Sequence, residues 1–177
     1  MILSTCLVVS LFILGSNSSP NGAPPGSCSS MIPSPNHHAS TPRTTPCPYT
    51  IETTPNTFTC GSTVSVTLGK ISTATPGFRG FLCQARTNVD DYSTVTGTLT
   101  DTDNAVLSTN RCPAVNASIT HAERSVKDSF TFDWTNDGTS ATTNSVYIVC
   151  TLVQSKTIFW VNMTTPALTY TGTATTC

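Results

Sequence analysis

Ser129-Phe130-Thr131-Phe132-Asp133-Trp134-Thr135 alternates aromatic and polar side chains without a break. Successive residues of an extended chain point to opposite faces, so Phe130, Phe132 and Trp134 share one face and Thr131 and Asp133 the other. The segment therefore reads as a strand with one buried face, and Asn136-Asp137-Gly138 after it is a strong turn signal.

The same grammar extends in both directions. Ser145 to Val153 is apolar on both faces and fits a central strand, and Thr157 to Thr164 fits its neighbour across Gln154-Ser155-Lys156. Upstream, Val64, Val66 and Leu68 alternate with Thr63, Ser65 and Thr67. Gly77 to Arg86 (GFRGFLCQAR) is a strand whose central Gly80 suggests a bulge or a close approach. Thr94 to Thr100 is a Thr-rich strand that ends in the turn Asp101-Thr102-Asp103-Asn104, and Val106-Leu107 and Val115 to Ile119 are shorter candidates. Roughly eight or nine strands at about ten-residue spacing, with no sustained helical period, predict an all-β, disulfide-stabilised β-sandwich with immunoglobulin-like topology. An antibody-type domain is not implied, because Trp134 falls long after Cys83 instead of shortly after the first bridging cysteine.

Charge is sparse: 8 Lys and Arg and 9 Asp and Glu make up 10% of the 177 residues, against about 25% in an ordinary soluble domain. No basic stripe exists, so nucleic acid is excluded as a partner on electrostatic grounds. Ser and Thr supply the surface polarity instead, as suits the solvated face of strands.

Leu7 to Leu14 (LVVSLFIL) is an apolar run of signal-peptide length, followed by small residues at Gly15, Ser16, Ser18 and Ser19. No Lys or Arg precedes it, and the competing reading is a short buried N-terminal strand. The run is shorter than the roughly 20 residues a membrane helix needs. The expected organisation is a signal peptide over 1–19, an extended Pro/Ser-rich segment over 20–47 that wraps or trails, a sandwich over 48–168 and a polar tail over 169–177. It predicts a secreted, extracellular protein with no transmembrane span and no GPI-attachment signal.

Cys6 lies in the leader, which leaves seven cysteines bound for an oxidising compartment. Cys47 and Cys60 flank a short run and are expected to close a small loop. Cys83 and Cys150 each share a strand face with apolar neighbours, so both are expected to point into the core, either bridging the two sheets or remaining reduced. With those pairs formed, Cys28 and Cys112 remain to tie the N-terminal segment to the domain. Cys177 is left unpaired or intermolecular.

Asn17, Asn116 and Asn162 stand in Asn-X-Ser/Thr sequons; Asn17 falls near the leader, and Asn116 and Asn162 are the glycosylation candidates. Asn162 shares a strand face with Trp160 and Ile158, which would place it at a sheet edge. No CxxC, HxxH or HExxH occurs and His37-His38 lie in a Pro/Ser-rich loop, so no metal site and no cofactor are predicted. Asp90-Asp91 reads as a solvated turn. His121 reads as a packing or turn residue, since no nucleophile elbow accompanies it. No catalytic residues, and so no enzyme, are predicted.

Gly22-Ala23-Pro24, Cys28, Met31, Pro33 and His37 resemble the opening of Reeler (reelin-type) domains. The resemblance continues through Pro48-Tyr49, Gly77 to Arg86, Thr120-His121, Phe130 to Trp134 and Phe159-Trp160-Val161, covering about residues 22 to 168. Its most specific part is G-F-x-G-F-x-x-Q-A-R. It implies an immunoglobulin-like sandwich and an early-to-middle bridge between Cys28 and Cys112, whereas Cys47, Cys60, Cys83 and Cys150 are additions to the pattern.

Small secreted members of that family are described as defence proteins that bind bacteria. The resemblance thus implies an innate-immune, antibacterial binding role, with a bacterial surface glycolipid or glycan as partner. Arg79, Arg86, Arg111 and Arg124 would be the available cations for such a ligand. The alternative is a structural or adhesive extracellular-matrix protein, acting through protein contacts or a disulfide-linked homodimer through Cys177.

Overall fold

The computed structural model describes residues 22–101, 112, 117–138 and 145–173. Its strands are β1 (Tyr49–Thr54), β2 (Thr57–Phe58), β3 (Thr63–Lys70), β4 (Gly80–Arg86), β5 (Thr98–Asp101), β6 (Ile119–Thr120), β7 (Ser129–Thr135), β8 (Ser145–Ser155), β9 (Ile158–Thr164) and β10 (Leu168–Tyr170). One sheet runs β1-β3-β7-β5; the other runs β2-β10-β8-β4-β6, with β9 also paired to β8. The chain is an all-β, immunoglobulin-like sandwich. Val106, Leu107 and Val115 lie outside the described residues.

Alternation decides which side chains meet between the sheets. β3 contributes Val64, Val66 and Leu68, and β7 contributes Phe132 and Trp134, all fully buried. Val64 sits opposite Trp134 and Val66 opposite Phe132 in the antiparallel register. From the other sheet come Phe81, Cys83, Ala85, Ile148, Cys150 and Leu152. The Trp134 indole packs edge-on against Phe58 at 5.1 Å, and its Nε1 donates to Thr96 O at 3.0 Å. A buried indole N–H left without a partner would be costly, so that bond fixes the ring as well as stabilising it.

β4 is buried at every position, and β8 from Ile148 to Val153 is buried without a break. A sheet strand hides both faces only when a third layer covers it. That layer is the N-terminal segment, a strap that packs Cys28 and Met31 onto Leu82 and Val149. Gln84 Nε2 donates to Cys28 O (2.9 Å) and Thr151 Oγ1 to Met31 O (2.6 Å). Further along, Arg43 N donates to Phe159 O and Trp160 Nε1 to Thr45 O, which seals the open side of β9. The strap thus wraps; it does not trail. β10 also carries the second sheet through Tyr170, into the polar tail expected from 169 onward. Thr169 and Tyr170 pair in parallel with β2, whose two residues are too few to announce a strand by periodicity.

Candidate functional site

The cysteines set the frame. Cys28 is bonded to Cys112, which holds the strap to the sandwich across a sequence separation of 84. Cys83 is bonded to Cys150, but the bridge does not join the sheets as expected. The two residues are direct cross-strand partners on neighbouring strands β4 and β8 of one sheet.

The expected Cys47–Cys60 loop does not form: Cys47 is free, and Cys60 is disulfide-bonded to a cysteine outside the described residues. Strand geometry explains why. Tyr49 pairs with Lys70 and Thr54 with Ser65, so Cys47 lies at one end of the β1–β3 ladder and Cys60 at the other. A strand of that length spans about 20 Å, far beyond the roughly 7 Å a disulfide tolerates between Cα atoms. Cys47 is half-buried against the core, and burial pushes its thiol pKa up, against the opposing effect of the Tyr49 backbone N–H. Cys177 lies outside the described residues.

The four arginines proposed from sequence as anion contacts separate. Arg86 is buried; its Nε and Nη2 donate to Gln84 Oε1 (3.0 and 2.7 Å), its Nη1 donates to Val89 O (2.9 Å), and it lies over the Tyr92 ring. Burial lowers its pKa, with Tyr92, Asp91 and Asp90 acting the other way. It is a structural cation and no ligand contact. Arg111 lies outside the described residues. Arg79 and Arg124 are both exposed and come together, with Arg79 Nη1 donating to Arg124 O at 3.5 Å.

Neighbouring polar residues have structural work. Asp91 caps a short 3₁₀ turn, accepting from Ser93 N (2.8 Å) and Ser93 Oγ (2.7 Å), and those bonds hold its carboxyl below the ordinary range. His121 is buried against Gly80, and its Nδ1 accepts from Phe81 N at 3.2 Å. A Cβ on Gly80 would lie 2.9 Å from the imidazole Cε1. The close approach read from Gly80 in the sequence is thus made by this ring.

Where strap and sheet meet there is an apolar cleft of about 40 Å³, lined by Gly22, Met31, Phe81, Val153 and all three histidines, His37, His38 and His121. One water needs about 10–15 Å³, so the enclosed part of the cleft is of the size of a few water-sized groups. His38 Nδ1 bonds Lys156 O at 2.9 Å, and its ring meets Phe159 edge-on. No group of three or more His, Cys, Asp or Glu among the described residues is placed to hold a metal ion.

Asn162 does not share the face of Trp160. The β8–β9 register shifts between the Cys150–Met163 and Leu152–Trp160 pairs, Asn162 takes φ of 52°, and it is exposed while Trp160 is buried. A bulge of this kind re-aims one side chain out of the alternation, and Asn tolerates the left-handed conformation. Asn116 lies outside the described residues.

The described residues form a sandwich strapped by its N-terminal segment, with a small apolar cleft where strap and sheet meet. The chain belongs to the Reeler domain family, whose model matches residues 26–176. Relatives include mouse "Ferric-chelate reductase 1", 31% identical over 165 residues, and "Putative defense protein 3" of Antheraea mylitta, 34% identical over 144 residues. The chain spans 26% of the reductase, so that match concerns its Reeler region alone. Its match to the Antheraea mylitta protein covers 80% of both chains. The crystal structure of the human F-spondin reeler domain superposes with a TM-score of 0.60 over 74% of this chain and 94% of that one, at 19% identity, a likeness of fold. Among the described residues no helix is long and apolar enough to cross a membrane.

Proposed function

We propose that this chain is a secreted defence protein that binds components of microbial surfaces and works by recognition, without catalysis. The observation that carries the reading is its likeness to "Putative defense protein 3", which extends over 80% of each chain. The side-chain chemistry is compatible with it. Buried polar groups such as Gln84, Arg86 and Thr151 are used to lock strap to sandwich.

The test is binding of the purified, disulfide-intact protein to whole Gram-negative and Gram-positive cells at about 0.15 M salt, where surface electrostatics are screened as in tissue fluid. Saturable binding that a defined surface component competes away is the expected result. Absence of binding to every cell type would overturn the reading.

A further inference from the structure

We propose that the sandwich end formed by the 71–79 loop and the 121–128 segment is a docking surface for an anionic lipid membrane. Ile71 and Val126 would enter the lipid, and Arg79 and Arg124 would meet its phosphates. The proposal rests on the microbial-surface reading and names the face and the ligand chemistry.

Four of the chain's 8 cations, Lys70, Arg79, Arg124 and Lys127, fall at this end with only Glu123 and Asp128 of its 9 carboxylates. Lys127 is buried and Lys70 is paired with Asp128, so the exposed cations of the face are Arg79 and Arg124. The rest of the chain is left net acidic. Apolar exposure is concentrated at the same end: Ile71 is 63% and Val126 53% exposed, and Ile32 is the sole other exposed large aliphatic among the described residues. Aliphatic side chains beside cations suit the boundary between headgroup and acyl chain, where burial and attraction to anionic lipid act together.

The loops are held in place from beneath. Phe78 is fully buried, and Phe78 and Lys127 exchange both backbone hydrogen bonds, at 3.0 and 2.8 Å. Tyr49 OH donates to Pro76 O (3.0 Å). Lys127 Nζ donates to Glu123 O (3.1 Å) and Ser125 O (3.0 Å), so its charge clips the 123–127 turn. Lys70 pairs with Asp128 at 2.8 Å. A Cβ on Gly77 would lie 2.5 Å from Val126 Cγ1, so the two loops meet at this distance only because residue 77 is glycine. With these bonds beneath them, Ile71 and Val126 do not fold back over the core, and a lipid surface meets a pre-organised face.

The experiment is sedimentation of the protein with vesicles of phosphatidylglycerol and phosphatidylcholine, and with pure phosphatidylcholine vesicles as the control. The variants are I71S/V126S and R79Q/R124Q, with binding to bacterial cells measured in parallel. All four residues are exposed, and unfolding midpoints recorded on each variant verify that the fold is kept. Binding to the anionic vesicles only, weakened about tenfold by each pair of substitutions, is the expected result. Equal affinity of the variants, or no vesicle binding by the unaltered protein, overturns the proposal. Cell binding without vesicle binding overturns the docking surface and leaves the microbial reading standing. Vesicle binding without cell binding does the reverse. Loss in the variants of binding to a soluble sulfated polysaccharide, with no vesicle binding, would assign the face to a glycan and overturn the lipid.

Discussion

Replacing Gln84 with methionine should be among the most damaging single changes in this protein, although it keeps the length and volume of the side chain. Gln84 is fully buried; its amide nitrogen serves Cys28 O, and its oxygen accepts two N–H bonds from Arg86. Methionine removes the bond to the Cys28 carbonyl and the acceptor shared by two Arg86 donors, all of them buried. Breaking a buried hydrogen bond so that one partner is left unsatisfied costs about 1–3 kcal/mol, and more where that partner is charged. A loss of about 4 kcal/mol corresponds to roughly 10 °C in melting temperature for a domain of this size. Equilibrium urea unfolding with disulfides intact would read it as a lower midpoint at unchanged slope. The Q84M/R86M double variant removes the guanidinium together with its acceptor. It should be at least about 1 kcal/mol more stable than the sum of the single changes. A Q84M cost below about 1 kcal/mol, or strict additivity in the double variant, would show that Arg86 finds other partners and refute the reasoning.

Four further outcomes are expected. G80A should cost about 1–3 kcal/mol, because its Cβ drives the buried His121 ring off the Phe81 N–H; an unchanged melting temperature would remove that contact from the account. Burial holds His38 below its ordinary 6.5, with His37 and Lys156 adding to the effect and the Lys156 carbonyl opposing it. The folded state therefore favours neutral His38, a contribution present above the unfolded pKa and lost as pH falls through the folded one. H38Q should flatten the decline in stability between about pH 7 and pH 5, and a slope identical to the unaltered protein would dismiss the histidine. Non-reducing peptide mapping should show Cys28–Cys112 and Cys83–Cys150, with Cys47 alkylated only after unfolding. Cys60 should be found with Cys177, since Cys60 Sγ lies 3.3 Å from Tyr170 OH and Cys6 falls in the expected leader; a Cys177 peptide linked to a second chain would restore the dimer reading. Protein secreted from a eukaryotic host should carry a glycan at Asn162 that N162Q deletes, and an unmodified Asn162-Met163-Thr164 peptide would refute this.

Legibility in the sequence followed the range of the interactions. The strands around Phe132, Val66 and Ile148 were readable because alternation is local: each side chain's face is fixed by its neighbours two positions away. The Gln84-Ala85-Arg86 part of the Reeler-like motif was recognisable as a pattern, yet its work is long-range. Gln84 reaches Cys28 across 56 residues, and Arg86, which sequence alone offered as a ligand contact, is consumed inside the fold. Asn162 leaves the face that alternation assigns it because one bulge shifts the β8–β9 register, and no residue of that strand announces the shift.

The amino-acid sequence by itself determined an all-β sandwich, its aromatic core, the cysteines that point inward and the kinship with Reeler domains. Periodicity and motif are properties of neighbours along the chain, which is why they survive without coordinates. Only the tertiary structure decided that Cys83 and Cys150 staple one sheet and that Cys47 stands a strand's length from Cys60. It alone laid the N-terminal strap over β4 and β8 as a third layer and gathered Arg79, Arg124, Ile71 and Val126 at one end. Those outcomes depend on which strands become neighbours, and strand order is set by the packing of the whole chain, which no local pattern encodes.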